Sequence, residues 1–92
     1  MATTLKGETE GVWRITTASG SVYEIDLDNK LVVRQPGEGA SRLRKDDYVT
    51  PLLDVVTVEV GTMLELMIQV RDDEVSTYRR GTAVESIERI VP

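Results

Sequence analysis

The chain has 92 residues, with 11 Lys and Arg against 16 Asp and Glu, which gives a formal charge of −5. It contains no Cys and no His, and this excludes disulfides, thiolate nucleophiles, sulfur-bound zinc and the commonest general base. The length fits one small domain, and the 40% hydrophobic content is too high for a disordered chain.

The N-terminal residues carry no apolar run. We expect residues 1–9 to form a mobile tail and residues 10–92 to form a single β domain. No stretch resembles a signal peptide or reaches the roughly 18 apolar residues of a membrane-spanning helix. These features predict a soluble cytoplasmic protein without a membrane partner.

Apolar and polar residues alternate with a period of two over residues 11–35, which predicts half-buried strands. A three-residue loop, Ala18–Gly20, with Gly20 in the left-handed conformation, would pair Ile15 with Tyr23. A one-residue slip would invert every side chain, so burial of the apolar face favours this register.

The second loop, Asp28–Lys30, is predicted to work in the same way and to pair Ile25 with Val33. The result is a three-stranded meander. On its outer face the same register places Glu24 between two arginines of the neighbouring strands, Arg14 and Arg34, as opposite charges across strands.

Residues 36–47 form the longest irregular segment, because Pro36, Gly37 and Gly39 interrupt the strand pattern. Pro51 indicates that residues 49–53 are an edge or lead-in segment rather than a central strand. Alternation then predicts further strands around residues 56–60, 63–70 and 75–78. Residues 83–90 fit either a strand or a short helical turn, because a capping-box pattern competes with β-branched residues.

The predicted fold class is therefore all-β. We expect a small antiparallel barrel or sandwich of six or seven short strands, with a short C-terminal helical turn as the alternative for the last residues. The predicted core consists of Trp13, Ile15, Ile25, Val33, Val56, Val58, Leu64, Leu66 and Ile68.

The segment G-x-W-x-I-x-T-x-S-G-S-x-Y-x-I-D, followed by R-x-P-G, resembles small uncharacterised proteins of actinobacteria and of the phages that infect them. The matching residues are Trp13, Ile15, Thr17, Ser19, Gly20, Ser21, Tyr23, Ile25, Asp26, Arg34, Pro36 and Gly37. The resemblance covers residues 11–37 and implies a small phage-encoded or phage-related β-protein. It implies no activity and no catalytic residues.

No residue pattern predicts an enzyme. The acidic residues of the strand at 24–28 fit a solvated face, and those at 46–47 and 72–74 fit turns. The glycines near residue 37 lack the spacing and the strand-to-helix context of a phosphate loop. We therefore predict no catalytic residues, no metal site and no cofactor.

Basic residues suggest one candidate site. Residues 30–45 hold five Lys and Arg against Glu38, a local charge of +4, and an aromatic residue follows them. A basic groove with aromatic stacking is how small β-barrels hold single strands of nucleic acid. The candidate binding residues are Arg34, Arg42, Arg44, Lys45, Tyr48, Arg79 and Arg80.

A protein partner ranks above nucleic acid. The strand at 63–70 is apolar on one face and carries Met63 and Met67 on the other, and methionine adapts well at interfaces. A central sandwich strand would show the same pattern. Residues 46–74 carry a charge of −7, which would repel phosphate and could steer head-to-tail association into a homo-oligomer. The sequence thus predicts a non-enzymatic interaction module, a phage accessory protein that binds a host protein or itself, with nucleotide or single-stranded nucleic-acid binding as the alternative.

Overall fold

The computed structural model describes residues 3–37, 49–69 and 76–91. These residues form six antiparallel strands in one closed barrel, each strand hydrogen-bonded to the next and β6 closing onto β1. The predicted all-β class is confirmed. The strands are β1 (Val12–Thr17), β2 (Val22–Asp26), β3 (Leu31–Gln35), β4 (Thr50–Thr57), β5 (Met63–Ile68) and β6 (Thr77–Val91).

The first hairpin has the predicted register. Ile15 pairs with Tyr23, and Gly20 occupies the left-handed region with φ of 86°. The predicted cross-strand charge pair between Arg14 and Glu24 is present, with 3.5 Å between Nη2 and Oε1. The turn chemistry and the buried apolar face therefore agree on one register here.

The second hairpin differs from the prediction by one residue. Ile25 pairs with Val32 instead of Val33, because the loop has four residues instead of three. Leu27 leaves the ladder and packs into the core, while its backbone N–H donates to the Gly11 carbonyl oxygen at 2.9 Å. Lys30 takes up the left-handed conformation, with φ of 57°.

This shift of one residue reverses which side chains of β3 face the interior of the barrel. Val32 is buried and Val33 is only half-buried, so Val33 does not belong to the core as expected. Glu24 lies opposite Val33, and the predicted contact of Glu24 with Arg34 is wrong. Arg34 points instead into the barrel, where it is buried.

Two β-bulges interrupt β4. The register against β5 shifts between Leu52 and Asp54 and again between Val55 and Thr57. Each bulge inserts one residue, so the side chains that face inward recur every third position. Val56, predicted to be core, is therefore exposed, while Val58 is buried as predicted.

Proline is accommodated at the start of β4. Pro51 is the second residue of the strand and lies opposite Leu31 of β3, in a pairing that covers two residues of each strand within the described parts of the chain. The predicted lead-in segment is thus continuous with β4, and proline is tolerated near a strand's first residue.

The long strand β6 pairs with β5 over its first part and with β1 over its second part. Residues 77–83 of β6 pair with β5, and residues 84–91 pair with β1. The strand alternative for residues 83–90 is confirmed, and the helical turn is absent from them. The predicted strand at 75–78 forms the start of β6 from Thr77, and Val75 lies outside the described residues.

The core combines side chains of all six strands with three residues outside them, Leu5, Leu27 and Val58. Leu5 is buried and its N–H donates to the Val58 carbonyl oxygen at 2.9 Å, so this part of the expected tail packs against the barrel. The buried apolar residues are Leu5, Trp13, Ile15, Tyr23, Ile25, Leu27, Val32, Leu52, Val58, Leu64, Leu66, Ile68, Val84 and Ile87. Among the described residues, no helix is long and apolar enough to cross a membrane.

Candidate functional site

The predicted basic site is divided by the fold. Arg42, Arg44, Lys45 and Tyr48 lie outside the described residues. Arg34 and Arg79 are each only 8% exposed, and both face the barrel interior. Arg80 is exposed on the outer surface. The described arginines of the candidate site therefore do not share one open surface.

Arg34 takes part in a buried polar cluster. Its Nε donates to the Tyr23 hydroxyl at 3.1 Å, and its Nη2 donates to Ser21 Oγ at 3.2 Å. The guanidinium carbon lies 5.9 Å from the centroid of the Tyr23 ring. Hydrogen bonds of this kind offset the cost of burying a charged group, so Arg34 contributes to the architecture of the barrel.

The same cluster joins two segments of the motif noted in the sequence. Ser21 Oγ also accepts a hydrogen bond from the Gly37 N–H at 3.4 Å. A Cβ atom added at Gly37 would lie 2.5 Å from the carbonyl carbon of Gly20, so only glycine fits this backbone approach. The S-G-S turn and the R-x-P-G segment thus pack on each other, which gives these residues a structural role.

Arg79 lies on the inward side of β6, opposite Leu66. Two residues further on, Gly81 leaves room for the Tyr23 hydroxyl, which would be 3.1 Å from a Cβ at that position. The inward side of β6 near Arg79 therefore borders the cluster around Tyr23. Neither Arg34 nor Arg79 is placed to contact a single strand of nucleic acid bound on the outside of the barrel.

The largest exposed apolar side chains of β4, β5 and β6 share the outside of the barrel. We call this surface the β4–β6 outer face and define it by the exposed Leu53, Val56, Met63 and Tyr78 together with Met67, which is half-buried. Met63 is 44% exposed and Tyr78 is 49% exposed. Tyr78 lies directly opposite Met67, which in turn lies opposite Asp54.

A polar row crosses the β4–β6 outer face beside these side chains. Thr57 lies opposite Glu65, and Glu65 lies opposite Arg80. The Glu65 carboxylate accepts hydrogen bonds from the Tyr78 hydroxyl and from the Thr57 side chain. These bonds lower the pKa of Glu65, with the Tyr78 bond as the main cause, and the same bond raises the pKa of Tyr78.

Arg80 has a different kind of partner. Its Nη2 donates to the thioether sulfur of Met63 at 3.3 Å. Arg80 and Glu65, both among the residues that the structure describes, form no ion pair with N···O within 4.0 Å despite their facing positions, although the charge of Arg80 adds to the effect of the hydrogen bonds that lower the pKa of Glu65. The guanidinium therefore lies over the apolar part of the face.

A surface hollow lies on the opposite side of the barrel, beside β1–β3. It has a volume of about 180 Å³ and is lined by apolar residues of β1 and β3, by Val49, and by the acidic residues Glu24 and Asp26. Asp26 accepts hydrogen bonds from the N–H of Asn29 at 3.0 Å and from its side-chain amide at 2.9 Å. The amide of Asn29 is the main reason that the pKa of Asp26 is lowered.

Sequence reasoning identified part of the β4–β6 outer face. Met63 and Met67 were expected on the second side of their strand, and that is where they lie. Leu53 and Val56 were missed because residues 49–53 were predicted as a lead-in segment and alternation over residues 56–60 placed Val56 in the core. The sequence Leu-Leu-Asp-Val-Val-Thr at 52–57 does carry a usable signal, since the pattern apolar–apolar–polar repeats every three residues.

No group of three or more acidic side chains in residues 3–37, 49–69 and 76–91 is placed to hold a metal ion. Comparison with models of known protein families, with curated proteins and with solved structures finds no match to the chain.

Proposed function

We propose that the protein is a non-enzymatic interaction module that binds another protein through the β4–β6 outer face. The observation that carries the proposal is the exposure of Met63 and Tyr78 together with Leu53 and Val56 on one side of the barrel. Clustered exposed apolar side chains mark interaction surfaces in soluble proteins.

The composition of the face supports a protein partner. Tyr, Met and Arg are enriched in protein interfaces, and Tyr and Arg are frequent energetic hot spots. The bond from the Tyr78 hydroxyl to Glu65 restrains the ring before any partner arrives. Such restraint reduces the entropy lost on binding.

The two β-bulges favour the same surface. Without them Leu53 and Val56 would not both point outward, because strand residues alternate between the two sides of a sheet. Bulges commonly redirect side chains at functional sites and also discourage edge-to-edge pairing of strands. We therefore propose docking of side chains on the face rather than addition of a strand.

The resemblance to proteins of actinobacteria and their phages suggests the source of the partner. We propose a phage accessory protein that acts on a protein of the host cytoplasm. The proposal places Met63 and Tyr78 at the centre of the contact and gives no catalytic role to any residue.

Affinity capture from an actinobacterial lysate tests the proposal with three baits. These are the unmodified protein, a Met63→Ser/Tyr78→Ser variant, and a control Arg14→Gln/Glu24→Gln variant altered on the opposite side. We expect a protein to be captured by the first and third baits and lost from the second. Equal capture by all three baits, or no enriched protein, would contradict the proposal.

Nuclease treatment of the same lysate separates the nucleic-acid alternative. If capture survives the Met63→Ser/Tyr78→Ser change but is lost after nuclease treatment and in an Arg42→Ala/Arg44→Ala variant, the basic segment is the binding site. Binding of that kind would also weaken steeply as salt is raised.

A further inference from the structure

We infer that the partner of the β4–β6 outer face presents a carboxylate to Arg80, flanked by apolar side chains that contact Met63 and Met67. This inference rests on the proposed function and specifies the chemistry of the partner. It makes Arg80 the residue of the face that selects among partners.

The first support is the state of Arg80 itself. Its guanidinium is exposed, and its hydrogen bond goes to the sulfur of Met63 at 3.3 Å. A thioether is a weak acceptor, whereas the guanidinium carries five N–H donors in a planar fork. A carboxylate can accept two of these donors at once, so it would replace the contact with sulfur by a stronger pair.

The second support is that the carboxylate facing Arg80 across the strands is already engaged. Glu65 faces Arg80 across the strands, yet it accepts bonds from Tyr78 and Thr57 instead. Turning Glu65 toward Arg80 would break the bond that restrains the Tyr78 ring. Arg80 therefore acts on Glu65 through its charge and not through a hydrogen bond, so a carboxylate from outside can accept bonds from its N–H groups.

The third support excludes a polyanion at this face. Glu65 and Asp54 are the acidic residues of the same rows, and a chain of closely spaced phosphates would run over them as well as over Arg80. The negative charges of the phosphates and of these carboxylates would repel each other. A single carboxylate meets the repulsion of Glu65 alone, which the adjacent positive charge of Arg80 opposes, and it suits a protein or peptide better than a nucleic acid.

Selection from a displayed library of random twelve-residue peptides tests the inference without a known partner. The library is selected on the unmodified protein, and each captured peptide is then measured against Tyr78→Ser, Arg80→Gln and Arg80→Glu, with Arg14→Gln as the matched control. Thermal unfolding of each variant is recorded, because Arg80→Glu places a like charge opposite Glu65.

We expect the peptides that depend on Tyr78 to be enriched in Asp or Glu beside apolar residues. Their affinity should fall on the order of tenfold in Arg80→Gln and further in Arg80→Glu, because a desolvated charge pair is lost. Arg14→Gln should bind as the unmodified protein does. Replacing the acidic peptide residue by Lys should restore part of the binding to Arg80→Glu.

The outcomes separate the two proposals. Peptides that depend on Tyr78 but carry no acidic residue and bind equally to Arg80→Glu would overturn the inference while supporting the proposed function. Selection of no peptide that depends on Tyr78 would count against both. Acidic peptides that bind equally to Tyr78→Ser and Arg80→Glu would place the carboxylate elsewhere and overturn the inference.

Discussion

The two outer sides of the barrel differ in how their polar groups are partnered. On the outside of β1–β3, Arg14 is paired with Glu24, and Asp26 is bonded to the Asn29 backbone and amide. On the β4–β6 outer face the cation Arg80 contacts a sulfur atom and Tyr78 remains half-exposed. The first side satisfies its charges within itself, and the second keeps contacts that a partner can use.

The largest expected effect contrasts the core with the β4–β6 outer face. Trp13 is buried, its Nε1 donates to the Glu10 carbonyl oxygen at 3.0 Å, and the Arg89 guanidinium lies 5.6 Å from its ring centroid. Trp13→Ala should lower the free energy of unfolding by about 3–5 kcal/mol. Tyr78→Ala should cost roughly 1 kcal/mol or less, since half of this side chain is already exposed.

Urea unfolding followed by far-ultraviolet circular dichroism measures both changes without depending on the indole signal. A near-neutral Trp13→Ala change would place Trp13 outside the supporting core and make its ring a binding candidate.

The bulges of β4 predict a contrast between two valines two positions apart. Val58→Ala should lower the free energy of unfolding by about 2 kcal/mol because a buried side chain is shortened. Val56→Ala should change it by less than about 0.5 kcal/mol because this residue is exposed. Denaturant titration of both variants measures the two free energies of unfolding. Equal decreases would mean that the side chains of β4 alternate without bulges.

Two tyrosines allow the same comparison for a single hydroxyl group. Tyr23→Phe removes the acceptor of the buried Arg34 Nε, so we expect a loss of about 1–3 kcal/mol. Tyr78→Phe removes a bond on the exposed face and should cost less than about 0.5 kcal/mol. Thermal unfolding can compare the two variants directly. A larger loss in Tyr78→Phe would reverse the assignment of the buried and the exposed cluster.

The smallest expected effect is on pH dependence. The bond to Glu65 raises the pKa of Tyr78, so its contribution to stability is present below the tyrosine's unfolded pKa and is lost as pH rises through the folded pKa. The lowered pKa of Glu65 has the opposite sign. That contribution is present above the carboxyl's unfolded pKa and is lost as pH falls through the folded pKa.

Ultraviolet titration of phenolate absorbance, taken as the difference between the unmodified protein and Tyr78→Phe, isolates this residue. Its pKa should lie above 10.0 and should return toward that value in Glu65→Gln. If the Tyr78 hydroxyl titrated at the same pH in the unmodified background and in Glu65→Gln, the hydrogen bond to Glu65 would not be the cause of the raised pKa.

The sequence predicts the fold class and the first register because local turn chemistry and burial agree there. It fails at β3 because Leu27 is an apolar residue that belongs to the loop, which alternation alone counts as part of the strand. The inward direction of Arg34 follows from that slip. The sequence could not predict it, because the acceptors of Arg34, Tyr23 and Ser21, are brought inside the barrel only by the fold.

The candidate site shows the same limit. Met63 and Met67 follow from strict alternation in β5 and were found. Leu53 and Val56 depend on bulges. Arg80 was a predicted binding residue, but its neighbours Glu65 and Met63 lie on another strand and could not be predicted. Residues that act through non-local pairing are the ones that sequence periodicity does not reach.

The shared strand β6 also bears on the order of folding. Ile15 of β1 pairs with Ile87, 72 positions later, so β1 gains its second neighbour only after every other strand has been synthesised. During synthesis, β1 therefore cannot form its native pairing with β6 until residues 84–91 have been made. Closure between such distant segments belongs to the slow class of all-β folding, on the order of milliseconds to seconds. The last strand thus sets when the nascent chain stops exposing a sheet edge to other proteins in the cell.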